Sequence, residues 1–158
     1  HWGLEYERIP SREQRELADW LMRQGVDLVI GSHPHVVQPM ELRRGKEGVP
    51  DRLVVYSLGN FISNMSREHT DGGVMVKVVL GRKGLRRYIA SAQYSLIYSS
   101  RYKNEQGKED IRVVPAASWS GKNQNSSFSV DSALIKYVNN TRLFLKGNNK
   151  EVEEYIFE

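Results

Sequence analysis

Two histidines separated by a single residue follow an apolar segment in the first quarter of the chain. Val26–Ile30 is mostly apolar and rich in β-branched residues, which predicts a short strand buried on both faces. Gly31 permits a tight turn, and His33 and His35 come next. In an extended segment this spacing directs both imidazoles to the same side. Because imidazole is the commonest metal-binding side chain, the pair predicts either a metal-binding loop or two loop histidines with ordinary hydrogen bonds.

Four further polar residues have types that suit a reactive site. His1 and Glu5 lie in one short segment, and they suggest a metal ligand and a carboxylate that supports it or acts as a base. Asn60 follows a glycine at the end of an apolar segment, so its amide either orients a substrate or bonds its own turn. Arg8 is a candidate contact for an anionic substrate. His69 lies in the polar loop 63–71, where a lone histidine is usually solvated.

The elements that must position these groups begin with a helix. Ser11 and Gln14 have capping-box spacing, and the pattern predicts a helix over Arg15–Gln24 that ends at Gly25. Its buried stripe is predicted to consist of Leu17, Trp20 and Leu21. A helix, a strand and then the histidine loop make an α/β unit, in which ligand groups gather at the carboxyl ends of strands.

The remaining two thirds of the chain predict mainly strands. Hairpins are expected around the turns at 44–48 and 82–84, and Ile111–Pro115 is expected at a sheet edge because of its proline. The expected strands are 53–58, 74–80 and 85–99, followed by a polar loop over 118–129, a helix over 130–145 and a tail of helix or strand at 151–157. Tyr88, Tyr94 and Tyr98 are expected to pack on cross-strand neighbours, with a stacking platform as the alternative.

Composition narrows the class of protein further. The 158 residues suffice for one domain and contain no cysteine, which excludes disulfides, thiolate zinc sites and cysteine nucleophiles. The net charge of +4 favours anionic partners such as phosphates, polyacids or membrane surfaces. The basic residues are scattered, and no nucleic-acid-binding motif accompanies them, so no nucleic acid partner is expected.

Three ordered motifs carry a resemblance to a known family. The segment Gly31-Ser-His-Pro-His35 is followed by Val-Val-Gln-Pro, with His1-Trp-Gly-Leu-Glu-Tyr6 before it and Tyr56-Ser-Leu-Gly-Asn-Phe61 after it. Together they resemble the bacterial capsule-synthesis CapA family, which is named for poly-γ-glutamate capsules. The resemblance is tightest over residues 1 to 80. That family is similar in fold to calcineurin-like metallophosphoesterases, which bind two metal ions between two β-sheets.

The resemblance implies a fold, a site and two classes of function. The fold would be α/β, with residues 1–158 forming one domain that is the C-terminal half of a metallophosphoesterase-like α-β-β-α sandwich with mixed sheets. His1, His33 and His35 would bind metal, with two divalent ions in the full-length protein. Asn60 would orient substrate and Glu5 would act as acid or base. The function would be hydrolysis of a phosphoester or a γ-glutamyl amide bond, or else non-catalytic binding of an anionic capsular polymer at the cell surface.

The chain opens directly on a motif residue, so we expect it to be the C-terminal part of a longer protein. Such a part would lack ligands that come earlier in the family, and it should bind metal weakly and show little activity. We also expect it to self-associate through a bare face or sheet edge. No apolar run is long enough to span a bilayer. Membrane association is therefore expected only through segments outside the chain, and the resemblance implies the cell envelope.

Overall fold

Two mixed β-sheets and two helices make up the computed structural model, which describes residues 1–46, 50–117 and 132–156. The fold class is α/β, as predicted. In chain order the elements are α1 (Arg12–Arg23), β1 (Leu28–Ile30), β2 (Met40–Arg43), β3 (Arg52–Val55), β4 (Gly72–Lys83), β5 (Arg86–Lys103), β6 (Glu109–Pro115), α2 (Ser132–Asn148) and β7 (Glu153–Glu154).

The first sheet has the strand order β1-β3-β2. β1 and β3 run parallel, with Val29 opposite Val54, and β2 runs antiparallel to β3. β3 is therefore the central strand, and Leu53, Val54 and Val55 are all fully buried. This arrangement places the ends of β1 and β3 at the same edge of the sheet.

β1 is not covered on both faces, and that prediction is wrong. Only Val29 is buried, whereas Leu28 is 36% exposed and Ile30 is 49% exposed. The physical reason is that β1 is an edge strand, and the packing that buries both faces of the central strand β3 fully covers only the Val29 face of β1. The apolar run correctly predicts a hydrophobic strand. It does not show whether the strand lies at the centre or at the edge of the sheet.

Helix α1 begins as predicted but buries a different stripe. Ser11 accepts a hydrogen bond from the Gln14 N–H, the Gln14 side chain accepts one from the Ser11 N–H, and Gly25 has a φ of 97°. The buried residues are Gln14, Ala18 and Met22, while Leu17 is 44% and Trp20 51% exposed. The prediction of Leu17 and Trp20 in the core is therefore wrong; Leu21 packs partly against it. The small Ala18 lets the helix lie close to Val29, Val54 and Tyr56.

The second sheet is built on the long strand β5. β4 pairs along one edge of β5 in the predicted hairpin, with a register shift between Val79 and Leu80. On the other edge β6 pairs antiparallel with Ile97–Lys103, and β7 pairs parallel with Gln93 and Tyr94. β6 pairs only with β5 among the described strands, which agrees with its predicted edge position.

One main core joins the two sheets and α2. Leu53 and Val55 of the first sheet share this core with Val74 and Leu96 of the second. The predicted helix after residue 130 is confirmed, and it buries Leu134, Val138 and Leu145 in this core, with Thr141 buried beside them. Tyr94 and Tyr98 are buried, so packing rather than an exposed stacking platform is confirmed for them; Tyr88 is 37% exposed. The predicted polar loop 118–129 lies outside the described residues.

Candidate functional site

The candidate site forms where β1 and β3 end side by side. Because the strands are parallel, the loop after β1 and the segment after β3 leave the sheet at the same edge. Two hydrogen bonds join them there, from Gly31 N–H to the Val55 carbonyl at 2.7 Å and from Leu58 N–H to the Gly31 carbonyl at 3.1 Å. The histidine loop and Asn60 are brought together by this pairing.

The segment that contains His1 is fastened to the histidine loop. Trp2 N–H donates to the Ser32 carbonyl at 3.2 Å, and Tyr6 N–H donates to the Pro34 carbonyl at 2.8 Å. The Trp2 indole N–H also donates to the Tyr56 carbonyl at 2.7 Å, and the two rings stack with centroids 5.9 Å apart. Trp2 thus connects the first segment of the chain to both strands that form the site.

Gly31 is required for this connection because nothing larger fits beside the indole. A Cβ atom at position 31 would lie 2.3 Å from the Trp2 indole nitrogen and 2.2 Å from the Tyr56 carbonyl oxygen. Both distances are far below van der Waals contact. A side chain at this position would therefore push the Trp2 segment away from the sheet.

His1, His33 and His35 form one cluster of rings. The centroids of His1 and His33 are 4.0 Å apart, and those of His33 and His35 are 6.2 Å apart. The loop is not extended, because His33 and His35 have φ angles of 102° and 62°. The premise of an extended loop is therefore wrong, and two left-handed residues on either side of Pro34 bring the rings together. Such conformations cost about 1–3 kcal/mol each in non-glycine residues and are concentrated at functional sites.

Hydrogen bonds define which nitrogen of His35 carries the proton. The Asn60 side-chain N–H donates to the Thr70 carbonyl at 2.8 Å, so its Oδ1 faces His35 Nδ1, at 3.0 Å. Oδ1 can only accept, and Nδ1 must therefore donate. In the neutral ring the lone pair then lies on Nε2, which is the atom nearest the Glu5 carboxylate, at 4.0 Å from Oε1.

The His35 Nε2 lone pair and the Glu5 carboxylate face each other, and both side chains are partly exposed, at 36% and 48%. A water molecule or a cation can therefore lie between the two atoms. Two zinc–ligand bonds of about 2.1 Å at the tetrahedral angle place their ligand atoms roughly 3.4 Å apart. The His35–Glu5 pair, at 4.0 Å, therefore has suitable donor atoms but would have to close slightly around a shared cation.

A complete metal site is not present among these groups. No three His, Asp or Glu side chains within residues 1–46, 50–117 and 132–156 are arranged to hold one metal ion. The rings of His1 and His33 lie close to the His35–Glu5 pair. A complete set of metal ligands requires additional groups.

Arg8 lies apart from the histidine cluster. Its guanidinium stacks over the Phe144 ring at 3.8 Å, and its closest charged neighbours include Glu68. Burial lowers the pKa of Arg8 from its usual value. His69 is on the same side, where burial and then Arg8 lower the pKa of its imidazole. The structure therefore separates Arg8 and His69 from His1, His33, His35, Glu5 and Asn60, which it brings together.

Several residues that shape the site were not predicted from the sequence. Tyr6 has a φ of 68° and stacks on His35 with centroids 6.1 Å apart, and Arg67 covers its ring at 4.0 Å. Gln14 and Gln38 form a buried amide pair at 2.8 Å, and Gln38 also donates to the Glu7 carbonyl. The only sequence signal for Tyr6 is its place at the end of the motif His1–Tyr6, next to Glu5, and a buried glutamine pair has none.

The fold and the site define an α/β protein with a histidine-lined loop cluster at the carboxyl edge of a mixed sheet. Residues 1–65 match the family described as bacterial capsule synthesis protein PGA_cap, so this part of the chain is similar to that family. The matched residues include the first sheet, α1 and all members of the cluster.

Two curated relatives show the same similarity. The PGA biosynthesis protein CapA of Bacillus subtilis (strain 168) is 35% identical over 88 residues, which are 56% of this chain and 22% of that protein. The capsule biosynthesis protein CapA of Bacillus anthracis is 36% identical over 84 residues, 53% of this chain and 19% of that protein. The match thus spans about a fifth of the length of each relative. No solved structure gives a significant match.

Proposed function

We propose that this chain is part of a capsule-biosynthesis protein in which the histidine cluster belongs to a metal-dependent hydrolytic site. The observation that carries the proposal is the His35–Glu5 pair. Asn60 directs the Nε2 lone pair of His35 toward a carboxylate 4.0 Å away, an arrangement that a shared cation would stabilise. His33 and His1 are the nearest additional nitrogen ligands.

Each residue of the chain has a separate task in this proposal. Asn60 holds the ring of His35 and keeps its proton on Nδ1, as the outer-shell partners of metal-binding histidines do. Glu5 supplies negative charge as a ligand or as an acid–base group. Bound divalent metal ions would act as Lewis acids and lower the pKa of water for hydrolysis of a phosphoester or γ-glutamyl amide bond. The remaining ligands would come from groups other than these residues, and the site would act at the cell envelope.

A non-catalytic role in holding the capsular polymer is the second candidate. The observation that favours it is a polar groove between the loop 63–71 and α2, whose lining contains three cationic and two acidic side chains. No helix in the described part of the chain is long and apolar enough to cross a membrane.

Metal content distinguishes the two candidates. The protein expressed from its complete reading frame is purified without chelators, and its metal is measured by elemental analysis. A His33→Ala, His35→Ala double variant is measured in parallel, with Asn104→Ala in the distant β5–β6 turn as the matched control. About one to two equivalents of metal in the parent and in the control, lost in the double variant, are expected from two-metal chemistry. A folded parent with no metal contradicts the hydrolase and leaves polymer binding as the function.

A further inference from the structure

A groove on the other side of the loop 63–71 has the properties of a ligand site. It is bounded by this loop, by Tyr98–Arg101 of β5 and by the first two turns of α2, and we call it the loop–helix groove. Its volume of about 700 Å³ falls in the range of about 300–1,000 Å³ that is typical of ligand pockets. Its charged lining consists of the cations Arg67, Arg101 and Lys136 and the carboxylates Glu68 and Asp71.

All three cations are exposed and can contact a ligand. Lys136 forms an ion pair with Glu68 at 3.6 Å. Arg67 instead lies over the Tyr6 ring, and Arg101 donates to the backbone carbonyl of Asn64. Among the described residues neither guanidinium has a carboxylate partner. Because a guanidinium matches the geometry of a carboxylate, both can still bind an anionic group.

Neutral hydrogen-bonding groups separate these cations. Ser63, Ser66 and Ser99 contribute hydroxyl groups to the lining, and Asn64 and Asn140 contribute amides. Such a surface suits a ligand whose negative charges are single and spaced along a polar chain. The two carboxylates in the lining would repel a densely charged phosphate polymer more strongly than a polymer with one charge per unit.

The groove shares a wall with the histidine cluster. Met65 lines the groove, and its sulfur lies 3.6 Å from the side-chain nitrogen of Asn60, whose oxygen contacts His35. A second connection runs from Arg67 in the groove through the Tyr6 ring to His35. A chain bound in the groove would therefore lie one residue away from the candidate reactive site.

We infer that the loop–helix groove binds successive carboxylate groups of an acidic polyamide and holds the polymer beside the histidine cluster. The inference takes the type of polymer from the proposed function, but it depends on neither metal binding nor hydrolysis. It assigns ligand contacts to Arg67, Arg101 and Lys136, none of which lies in the part of the chain that the family match covers.

The experiment measures the affinity of the chain for a fluorescently labelled γ-linked oligoglutamate by anisotropy, at low and at physiological salt. The test variants are Arg101→Gln and Lys136→Gln, singly and together. The matched controls are Lys83→Gln and Arg87→Gln, which remove the same charges from the exposed end of the β4–β5 hairpin. Circular dichroism checks the fold of each variant, and Lys136→Gln remains informative if Arg101→Gln disturbs the loop.

The expected result is a loss of affinity of about two- to fivefold for each groove variant, as for exposed ion pairs, and a weaker salt dependence in the double variant. The hairpin controls should change affinity less than twofold, since their charges lie outside the groove. Equal losses in groove and hairpin variants would show non-specific attraction to a cationic chain and overturn the inference.

Two further outcomes would also overturn the inference. One is that the chain does not measurably bind the oligoglutamate. The other is that it binds inorganic polyphosphate more tightly, with the same dependence on Arg101 and Lys136. The His33→Ala, His35→Ala variant separates this inference from the proposed hydrolase. If that variant binds the oligomer normally and the parent protein contains no metal, the groove stands and the hydrolytic function fails.

Discussion

His35 and Asn60 come from the ends of two neighbouring parallel strands, and the 3.0 Å contact between Nδ1 and Oδ1 fixes the imidazole. Because the Asn60 amide nitrogen is held by the Thr70 carbonyl, its oxygen cannot turn away. The sequence predicted an amide near the histidines as a substrate contact. The structure shows that this amide already has a ring partner, and its role toward a substrate stays a prediction.

Replacing Asn60 with alanine should therefore change the tautomer of His35. We expect a single Nδ1–H tautomer in the parent and a mixture in Asn60→Ala, measured from imidazole ¹⁵N chemical shifts by NMR. Asn64→Ala in the adjacent loop is the control, because its contact with Arg101 uses the backbone carbonyl, which the substitution keeps. If the protein binds metal as proposed, Asn60→Ala should also weaken that binding by roughly 10–100-fold. An unchanged ¹⁵N spectrum would show that Asn60 does not set the tautomer.

Gly31→Ala should destabilise the protein by about 1–3 kcal/mol, as expected for an overpacked site. The added Cβ would overlap the Trp2 indole nitrogen and the Tyr56 carbonyl oxygen. Urea unfolding gives the change in free energy, and Trp2 fluorescence reports whether the indole moves. Gly147→Ala is the matched control in α2, where the surroundings are open. It should stabilise the helix by about 0.5–1 kcal/mol, and a similar loss at both positions would contradict the steric explanation.

The sequence predicted the helices and strands well where local patterns determine them. The capping box at Ser11, the β4–β5 hairpin and the helix α2 depend on neighbours in the sequence. Prediction from the sequence failed where the exposure of a residue depends on its position in the whole fold. Leu28 and Ile30 are exposed because β1 is at a sheet edge, and Trp20 is exposed because Ala18 and Met22 face the sheet instead.

The same distinction applies to the candidate site. Histidines two residues apart, with an earlier histidine and a later asparagine, could be grouped from motifs, and the structure brings these residues together. The spacing rule for extended chains did not predict that His33 and His35 would have positive φ. Arg8 could not be separated from the cluster without knowing that it stacks on Phe144, a residue 136 positions later (144 − 8).

The buried Gln14–Gln38 pair should contribute measurably to stability. Gln14→Ala leaves the Gln38 amide without its buried partner and removes half of the capping box. We expect a loss of about 1–3 kcal/mol, the usual cost of a buried polar group left unpaired. Glu16→Ala on the exposed face of the same helix removes only a surface ion pair and should cost less than about 1 kcal/mol. Equal effects in chemical denaturation would contradict a special role for the pair.

The outer edge of β1 should govern self-association of the chain. Leu28 and Ile30 are apolar and partly exposed on one face of β1, and no described strand pairs with the outer edge of β1. We expect concentration-dependent association in sedimentation velocity, reduced by Leu28→Lys with Ile30→Lys, because edge lysines oppose strand pairing. Leu85→Lys is the matched control, since Leu85 is 94% exposed at the tip of the hairpin. Association that is lost equally in the control, or is absent in the parent, would contradict this prediction.

The stability of the protein against unfolding should depend on pH in a way that reflects the buried environment of His69. Burial is the main cause that lowers the pKa of His69, and the charge of Arg8 adds to it; Lys136 acts in the same direction, while Glu68 and Asp71 oppose them. Because the pKa is lower in the folded than in the unfolded state, the unfolded chain binds more protons just below the ordinary value of about 6.5. His69 therefore makes its full contribution to stability above that pH. This contribution is lost as the pH falls through the pKa of His69 in the folded state. Thermal unfolding from pH 8 to pH 5 should show a smaller loss in His69→Gln than in the parent, and parallel curves for the two proteins would refute the assignment.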